Sequence, residues 1–263
     1  MRVEVLVSTM NQTDHSLIEK MRISTDAVVV NQCQEDSVVE YDYNGNRIKW
    51  INSTTRGLSV SRNICLREAS GDICLLADDD LEYVNNYEQL VQNTFETHQN
   101  ADIIRFRIEG IEEKFKTYPE SEQKIGFLKS LKTSSVEIAF KKESLKGIRF
   151  DELIGAGTKY CMGEENALLA HCIKRKLKLI YVPITLSRLH IGESSWKNIS
   201  EEKYLISRGA AFEAMDTSFT QLLILQFAFR KHKMFTLSII EQVKLMEKGR
   251  SDYLNDRKVI RIC

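Results

Sequence analysis

Three consecutive aspartates, Asp78-Asp79-Asp80, directly follow the apolar run 73–77. Adjacent carboxylates repel one another, and a divalent cation with oxygen ligands is the usual compensation. If the segment stays extended, alternation places Asp78 and Asp80 on the same side. The pattern therefore favours a site for a metal together with a phosphate or ribose. The alternative is a solvated acidic turn.

A second acidic pair, Glu164-Glu165, opens a predicted helix over 164–176. Acids in a first turn also occur simply because the helix dipole stabilises them. The glycine-rich approach over 155–160 favours a functional interpretation, because glycine lets the backbone come close to a ligand. A glutamate held there is a candidate general base.

Two further side chains have chemistry that suits such a site. His190 follows a predicted strand over 179–182, and it is either a ligand or a structural histidine. Arg62 lies in the first turn of a helix that Ser59 is expected to cap. It either reaches an anionic ligand or only makes the surface polar.

The order of elements predicts an α/β fold with a mixed, mainly parallel sheet flanked by helices. Apolar strands alternate with helical segments, which is typical of a sheet that is covered on both faces. Ligands of such sheets bind at the carboxyl ends of the strands, where the three aspartates stand. The predicted strands are 3–7, 27–30, 48–51, 73–77, 103–108, 135–140 and 179–182.

From residue 201 onward the pattern is helical, so we expect a domain over 1–200 and a helical C-terminal extension over 201–263. The apolar stretch 222–229 adjoins the basic cluster 230–233. That combination suits an anionic membrane surface, the domain core or a partner in a homodimer. Lys plus Arg and Asp plus Glu each total 37, and this neutral balance argues against nucleic-acid binding.

The sequence also carries expectations about localisation. The N-terminal run 1–7 is too short and too charged for an export signal, and 222–229 is too short to span a bilayer. The six cysteines form no CxxC pair and are typical of reduced thiols. We expect a cytoplasmic protein, and contact with the inner face of the cell membrane is one of the alternatives for its helical extension.

Taken together, these motifs resemble the inverting family 2 glycosyltransferases of the GT-A fold, and specifically those that make bacterial capsular and exopolysaccharide repeat units. The resemblance covers about residues 1–196. It is carried by the segments 3–11, 57–63, 69–72, 75–80 and 163–166, and by His190 with Ser194-Ser195-Trp196.

The resemblance implies a role for each group. Asp78 would face the base or ribose of a nucleotide-diphosphate sugar, with a UDP-sugar favoured. Asp80 and His190 would meet a Mn²⁺ or Mg²⁺ ion and the diphosphate. Glu165 would deprotonate a hydroxyl of a saccharide or lipid-linked saccharide acceptor, with Glu164 beside it. The nucleotide-sugar contacts that it implies are Ser8, Thr9, Asn11, Asn31, Gly57, Arg62, Asp78 and Asp79.

Two positions depart from the family pattern. Asn31-Gln32-Cys33 stands where the family usually carries a pair of acids after the second strand. The usual base is an aspartate, whereas this chain has glutamates, so either Glu164 or Glu165 can be the base.

Other classes fit less well. The segment 8–11 lacks the GxGxxG of a nicotinamide-dependent dehydrogenase and the glycine-rich loop of a sugar nucleotidyltransferase. A non-catalytic GT-A-fold protein that binds carbohydrate or acts as a scaffold remains the alternative. Such a protein would not need both the aspartate run 78–80 and the glutamate pair 164–165.

Overall fold

The computed structural model describes residues 1–192 and 199–262, so Ser194, Ser195, Trp196 and Cys263 lie outside the described residues. Its strands are β1 Val3–Met10, β2 Asp26–Gln32, β3 Ser37–Tyr43, β4 Asn46–Ser53, β5 Ile73–Asp78, β6 Leu81–Tyr83, β7 Ile103–Gly110, β8 Gln123–Lys124, β9 Ile138–Lys141 and β10 Leu179–Leu189. Its α-helices are α1 Leu17–Lys20, α2 Leu58–Glu68, α3 Tyr87–Thr97, α4 Phe127–Ser130, α5 Glu164–Lys174, α6 Glu201–Ala214, α7 Thr220–Lys231 and α8 Ile239–Ile262.

The strands form one sheet in the order β3-β4-β2-β1-β5-β9-β7-β10-β6, with β8 paired to β10. Strands β4, β2, β1 and β5 run parallel, as do β7 and β10. The remaining pairings, made by β3, β6, β8 and β9, are antiparallel. The predicted mixed, mainly parallel sheet with flanking and C-terminal helices is therefore confirmed.

The central strands are continuous apolar runs in the sequence because nearly all of their residues are buried. The first seven residues of β1 and the first five of β5 are buried, because both faces of a central parallel sheet are covered. Val5, Val29 and Leu75 belong to this core. The carboxyl ends of β1, β2 and β5 consequently meet at one edge of the sheet, where apolar burial gives way to polar side chains.

The aspartate run is not one extended segment. Strand β5 ends at Asp78, and Asp79-Asp80 form the turn that leads into β6. The segment does not stay extended through Asp80, so strand alternation does not apply to Asp78 and Asp80, because it holds only within a strand. Similarly, the predicted strand 135–140 begins with a 3-10 turn over Ser135–Glu137.

The chain divides into two compact units. The first comprises Met1–Arg56, Val60–Arg149 and Cys172–Gly192 and holds the whole sheet. The second comprises Gly57–Ser59, Phe150–His171 and the described residues from 199 onward. The predicted division at residue 200 is not tested by this result and stays a prediction.

Helices α6 and α8 pack closely in the second unit because each has a glycine at the contact. A Cβ atom on Gly209 would lie 1.9 Å from the carbonyl oxygen of Met246, and one on Gly249 would lie 1.9 Å from that of Ile206. Helix α8 is also tied to the segment before α5, since Asp256 pairs with Lys159 and accepts a hydrogen bond from Tyr160. In the described part of the chain, no helix has both the length and the apolar character needed to cross a membrane.

Candidate active site

The carboxyl edge of the sheet gathers most of the predicted nucleotide-sugar residues of the first unit. Ser8 of β1 lies opposite Asp78 of β5, and Thr9 lies opposite Asn31 of β2. Ser8 also accepts a hydrogen bond of 2.9 Å from Ser61 of α2. Parallel pairing thus brings three separate segments of the sequence to one place.

Asp79 is fixed by two polar side chains at the end of β1. The Thr9 hydroxyl donates to its carboxylate, and the Gln12 amide donates 2.9 Å to Thr9 and 3.4 Å to Asp79. Sequence reasoning missed Gln12, although it follows the predicted site residue Asn11 directly. Asn11 itself has a positive φ of 53°, and its backbone N–H donates to the Gln32 carbonyl.

Asn31 fits a supporting role at this edge. Its amide nitrogen donates to the Gln12 carbonyl at 3.0 Å and to the Asn52 side chain at 2.8 Å. Its amide oxygen accepts from the Gln12 N–H at 3.0 Å. Both of its amide hydrogens are therefore used to hold the Gln12 loop and β4, so the residue shapes the edge through its neighbours.

Arg62 is almost wholly buried, with 1% of its surface exposed, and its guanidinium holds the end of β5. It donates to the Asp78 carboxylate at 2.8 Å and to the Ser135 hydroxyl at 2.7 Å. The anion that it meets here is thus a protein carboxylate. This charge-assisted contact offsets one of the three negative charges of the aspartate run.

Asp80 is the aspartate whose charge is least compensated. Desolvation by the surrounding protein, followed by the negative charges of Asp78 and Asp79, raises the pKa of Asp80 to about 7. Asp80 is nevertheless exposed at the surface. In the described part of the chain, no Lys or Arg pairs with Asp80. A bound cation would relieve this repulsion.

His190 lies beside Asp80 along the backbone but is held by other partners. Its N–H donates to the Asp80 carbonyl at 2.9 Å. Its ring nitrogens contact Glu112 at 3.0 Å and Glu82 at 2.7 Å, and these two carboxylates raise the pKa of His190. A ring that donates from both nitrogens has no lone pair for a metal. The described residues contain no group of three or more His, Cys, Asp or Glu arranged to hold a metal ion.

In the second unit, glycines shape the segment that precedes α5. Gly155, Gly157 and Gly163 have φ values of 115°, 74° and 90°, which strongly favour glycine. A Cβ atom on Gly155 would lie 2.9 Å from the hydroxyl of Ser59 and 3.4 Å from the carboxyl carbon of Glu164. One on Gly163 would lie 2.5 Å from the Cβ of Ala211. The backbone therefore approaches its neighbours more closely than any side chain would allow.

The start of α2 is joined to the same segment. The Leu58 N–H donates 2.8 Å to the Ala156 carbonyl, and Gly57 lies 3.5 Å from the Cβ position of Gly157. Ser59 does not cap the helix as predicted, because α2 begins at Leu58 and the hydroxyl of Ser59 donates to the carbonyl of Ile154 instead. The structure thus places Gly57 beside the glycine-rich segment.

The two candidate bases differ in exposure. Glu164 is buried, with 4% of its surface exposed, and lies against Gly155. Glu165 is partly exposed in the same first turn. A base must reach the hydroxyl that it deprotonates, so the accessibility of Glu165 favours it for that task.

Residues 7–154 match the family described as glycosyl transferase family 2, and this is more than half of the chain. The chain therefore belongs to that family and is a glycosyltransferase, which confirms the resemblance to family 2 and the predicted enzyme class. No curated protein sequence matches it.

Solved structures support the fold. The crystal structure of S. aureus TarS 1-349 in complex with UDP matches with a TM-score of 0.63 and 15% identity, over 90% of this chain and 73% of that one. The complex of S. aureus TarS 1-349 with UDP-GlcNAc matches with a TM-score of 0.66 and 16% identity, over 97% of this chain and 80% of that one. At these identities the likeness concerns the fold, which is the GT-A fold of those enzymes.

Proposed function

We propose that this chain is a metal-dependent inverting glycosyltransferase that takes its sugar from a UDP-sugar. The acceptor is a hydroxyl of a saccharide or lipid-linked saccharide, in the synthesis of a cell-surface polysaccharide. The observation that carries the proposal is the carboxyl edge, where Arg62 and Thr9 hold Asp78 and Asp79 while no Lys or Arg of the described residues pairs with Asp80. The UDP and UDP-GlcNAc bound to TarS support the choice of donor.

The residues present fit a divalent ion at Asp80, and they fit it less well at His190. Hard cations such as Mg²⁺ and Mn²⁺ prefer carboxylate oxygens, and the repulsion at Asp80 is what such a charge relieves. His190 is engaged with Glu82 and Glu112, so it would need to leave both to bind a metal. A bound ion would stabilise the charge on the departing diphosphate. Asp78 and Asp79 would then orient the nucleotide from positions that the protein has already fixed.

Glu165 supplies the base in this proposal. Its carboxylate takes the proton from the acceptor hydroxyl, whose oxygen forms a bond to the anomeric carbon as the bond to the diphosphate oxygen breaks. Attack from the face opposite the leaving group inverts the anomeric configuration. Buried Glu164 positions the glycine-rich segment from its contact with Gly155.

The helical region supports a proposal about the membrane. Leu222, Leu225 and Phe229 are exposed along one face of α7, and Arg230 and Lys231 follow in its last turn. An apolar face beside basic residues suits an anionic lipid surface, where lipid-linked acceptors reside. We propose that this face contacts the membrane.

Liposome sedimentation tests that contact. We expect the protein to sediment with anionic vesicles at low salt and a Leu222→Ser/Phe229→Ser variant to stay in the supernatant. Val38→Ser is the matched control, because Val38 is as exposed as these two (60% against 63% and 62%) but lies on β3. A wild-type protein that fails to sediment, or that forms a dimer lost in the double variant, would contradict membrane contact.

The function itself is tested by release of the nucleoside diphosphate. A panel of UDP-, GDP- and dTDP-sugars, each with Mn²⁺, Mg²⁺ or chelator, should show release from a UDP-sugar with metal and little without it. Thermal protection by UDP plus metal provides an independent readout. Release unaffected by chelator would contradict metal dependence, and protection by sugars alone would favour the scaffold alternative.

A further inference from the structure

A cavity of 410 Å³ opens in the first unit beside the first half of β7 and β10. Its wall carries four cationic residues, and none of the described residues that line it is Asp or Glu. Ligand pockets measure about 300–1,000 Å³, so its size suits a small molecule. The lining residues that matter here are Arg105, Lys116, Lys129, Lys132, Ile125 and Tyr181.

One carboxylate behind the wall compensates part of this charge. Buried Glu137 accepts from Arg105 at 2.9 Å and from Lys116 at 3.0 Å. Lys129 donates only to a neutral group in the described residues, the side-chain oxygen of Gln123 at 2.8 Å. The four positive charges of the wall thus exceed the single negative charge of Glu137, and an anionic ligand would be attracted.

Arg105 is fixed in place before any ligand arrives. Its guanidinium lies 5.3 Å from the ring centre of Tyr118 and 5.6 Å from that of Tyr181. The residue is 9% exposed, and its Nε–H has no hydrogen-bond partner among the described residues.

The neighbouring cavity makes a useful contrast. It measures 380 Å³ and shares Lys116 and Thr117 with the first, but Glu109 and Glu120 stand in its wall. Arg107 there pairs with Glu120 at 3.4 Å. The wall of this second cavity thus has three cationic and two anionic residues, so its excess of positive charge is smaller than that of the 410 Å³ cavity.

We propose that the 410 Å³ cavity binds the phosphate group of a phosphorylated saccharide. Arginine and lysine recognise phosphate through charge-assisted hydrogen bonds. The cavity is larger than a phosphate alone requires, and Ile125, Pro119 and Tyr181 add an apolar surface that suits the body of a sugar.

This site differs from the carboxyl edge but adjoins it through the 3-10 turn Ser135–Glu137. Ser135 accepts from Arg62, which holds Asp78, while Glu137 accepts from Arg105 in the cavity wall. The inference therefore goes beyond the proposed UDP-sugar chemistry and does not depend on it.

Calorimetric titration of the full chain tests the inference with glucose 6-phosphate, inorganic phosphate and glucose. We expect glucose 6-phosphate to bind best, phosphate to bind more weakly and glucose not to bind. A Lys129→Gln/Lys132→Gln variant should lose about tenfold or more in affinity for glucose 6-phosphate, since every 1.4 kcal/mol of binding energy is tenfold. Both lysines are exposed, so the variant should fold.

The matched control is Lys20→Gln/Lys146→Gln, which removes the same charge from exposed positions outside the cavity and should bind glucose 6-phosphate as the wild type does. UDP binding, measured with each variant, separates this site from the donor site and should not change. The inference is overturned if neither phosphate compound binds, if glucose binds equally well, or if both double variants behave alike. Equal affinity for phosphate and glucose 6-phosphate would overturn the saccharide part.

Discussion

The carboxyl edge of the sheet and the segment 155–165 are built in different ways. At the edge, hydrogen bonds between side chains determine the structure: Arg62 donates to Asp78, and Thr9 donates to Asp79. In the segment, positive φ values and close backbone contacts at Gly155 and Gly163 determine the shape. The first region should therefore respond to changes of charge, and the second to the addition of a single methyl group.

The largest effect is expected from Glu165→Gln in the second region. A general base contributes about 10²–10⁴-fold, so UDP release should fall by about 100-fold or more while UDP affinity is unchanged. Steady-state release assays measure this. Glu202→Gln, an exposed acid in the first turn of α6, is the matched control and should keep full activity. Equal losses in both variants would contradict the assignment of Glu165.

Arg62→Met tests the first region through stability. The substitution leaves Asp78 and Ser135 without their buried donor, so we expect a loss of about 2–4 kcal/mol in the free energy of unfolding. Urea denaturation gives the value. Arg67→Met on the same helix removes an exposed ion pair with Glu68 and should cost less than about 1 kcal/mol. A loss at Arg62 no larger than at Arg67 would show that the edge does not depend on this contact.

Gly155→Ala tests the backbone region. The positive φ and the 2.9 Å approach to the Ser59 hydroxyl should together cost about 1–3 kcal/mol in unfolding free energy. Gly45→Ala separates the two causes, because Gly45 has a φ of 84° but no atom near its Cβ position. We expect the loss at Gly45 to be the smaller one. Equal losses would mean that close packing at Gly155 is unimportant.

The smallest effect concerns His190. Hydrogen bonds to Glu112 and then Glu82 raise the pKa of His190, so any stability from these contacts is present below about pH 6.5 and lost as pH rises through the raised pKa. NMR titration should show the pKa above that of a free histidine, and lowered in Glu112→Gln and Glu82→Gln. An unchanged pKa in both variants would contradict the two contacts.

The sequence predicted the central strands because their burial produces continuous apolar runs. It missed β3, since most residues of Ser37–Tyr43 are exposed at the edge and carry no apolar run. It also ended β10 near residue 182, whereas the strand continues to Leu189 past Pro183 through two register shifts against β7. Edge strands and irregular pairing depend on tertiary contacts that local pattern does not encode.

The sequence predicted the acidic residues of the candidate site but not the hydrogen bonds that hold them. Asp78 and Asp79 follow a recognisable strand, but the hydrogen bonds from Arg62, Thr9 and Gln12 come from segments far apart in sequence. The turn at Asp79-Asp80 was predicted only as the alternative to an extended segment, because nothing in a run of acids distinguishes the two.

The central proposal is that the aspartate run binds the donor and that Glu165 deprotonates the acceptor. Its most direct test measures UDP affinity with Mn²⁺, and UDP release, in Asp80→Asn and Glu165→Gln side by side. We predict that Asp80→Asn loses metal-dependent UDP binding and release together, and that Glu165→Gln loses release while binding UDP normally. Normal metal-dependent binding in Asp80→Asn, or normal release in Glu165→Gln, would contradict the account.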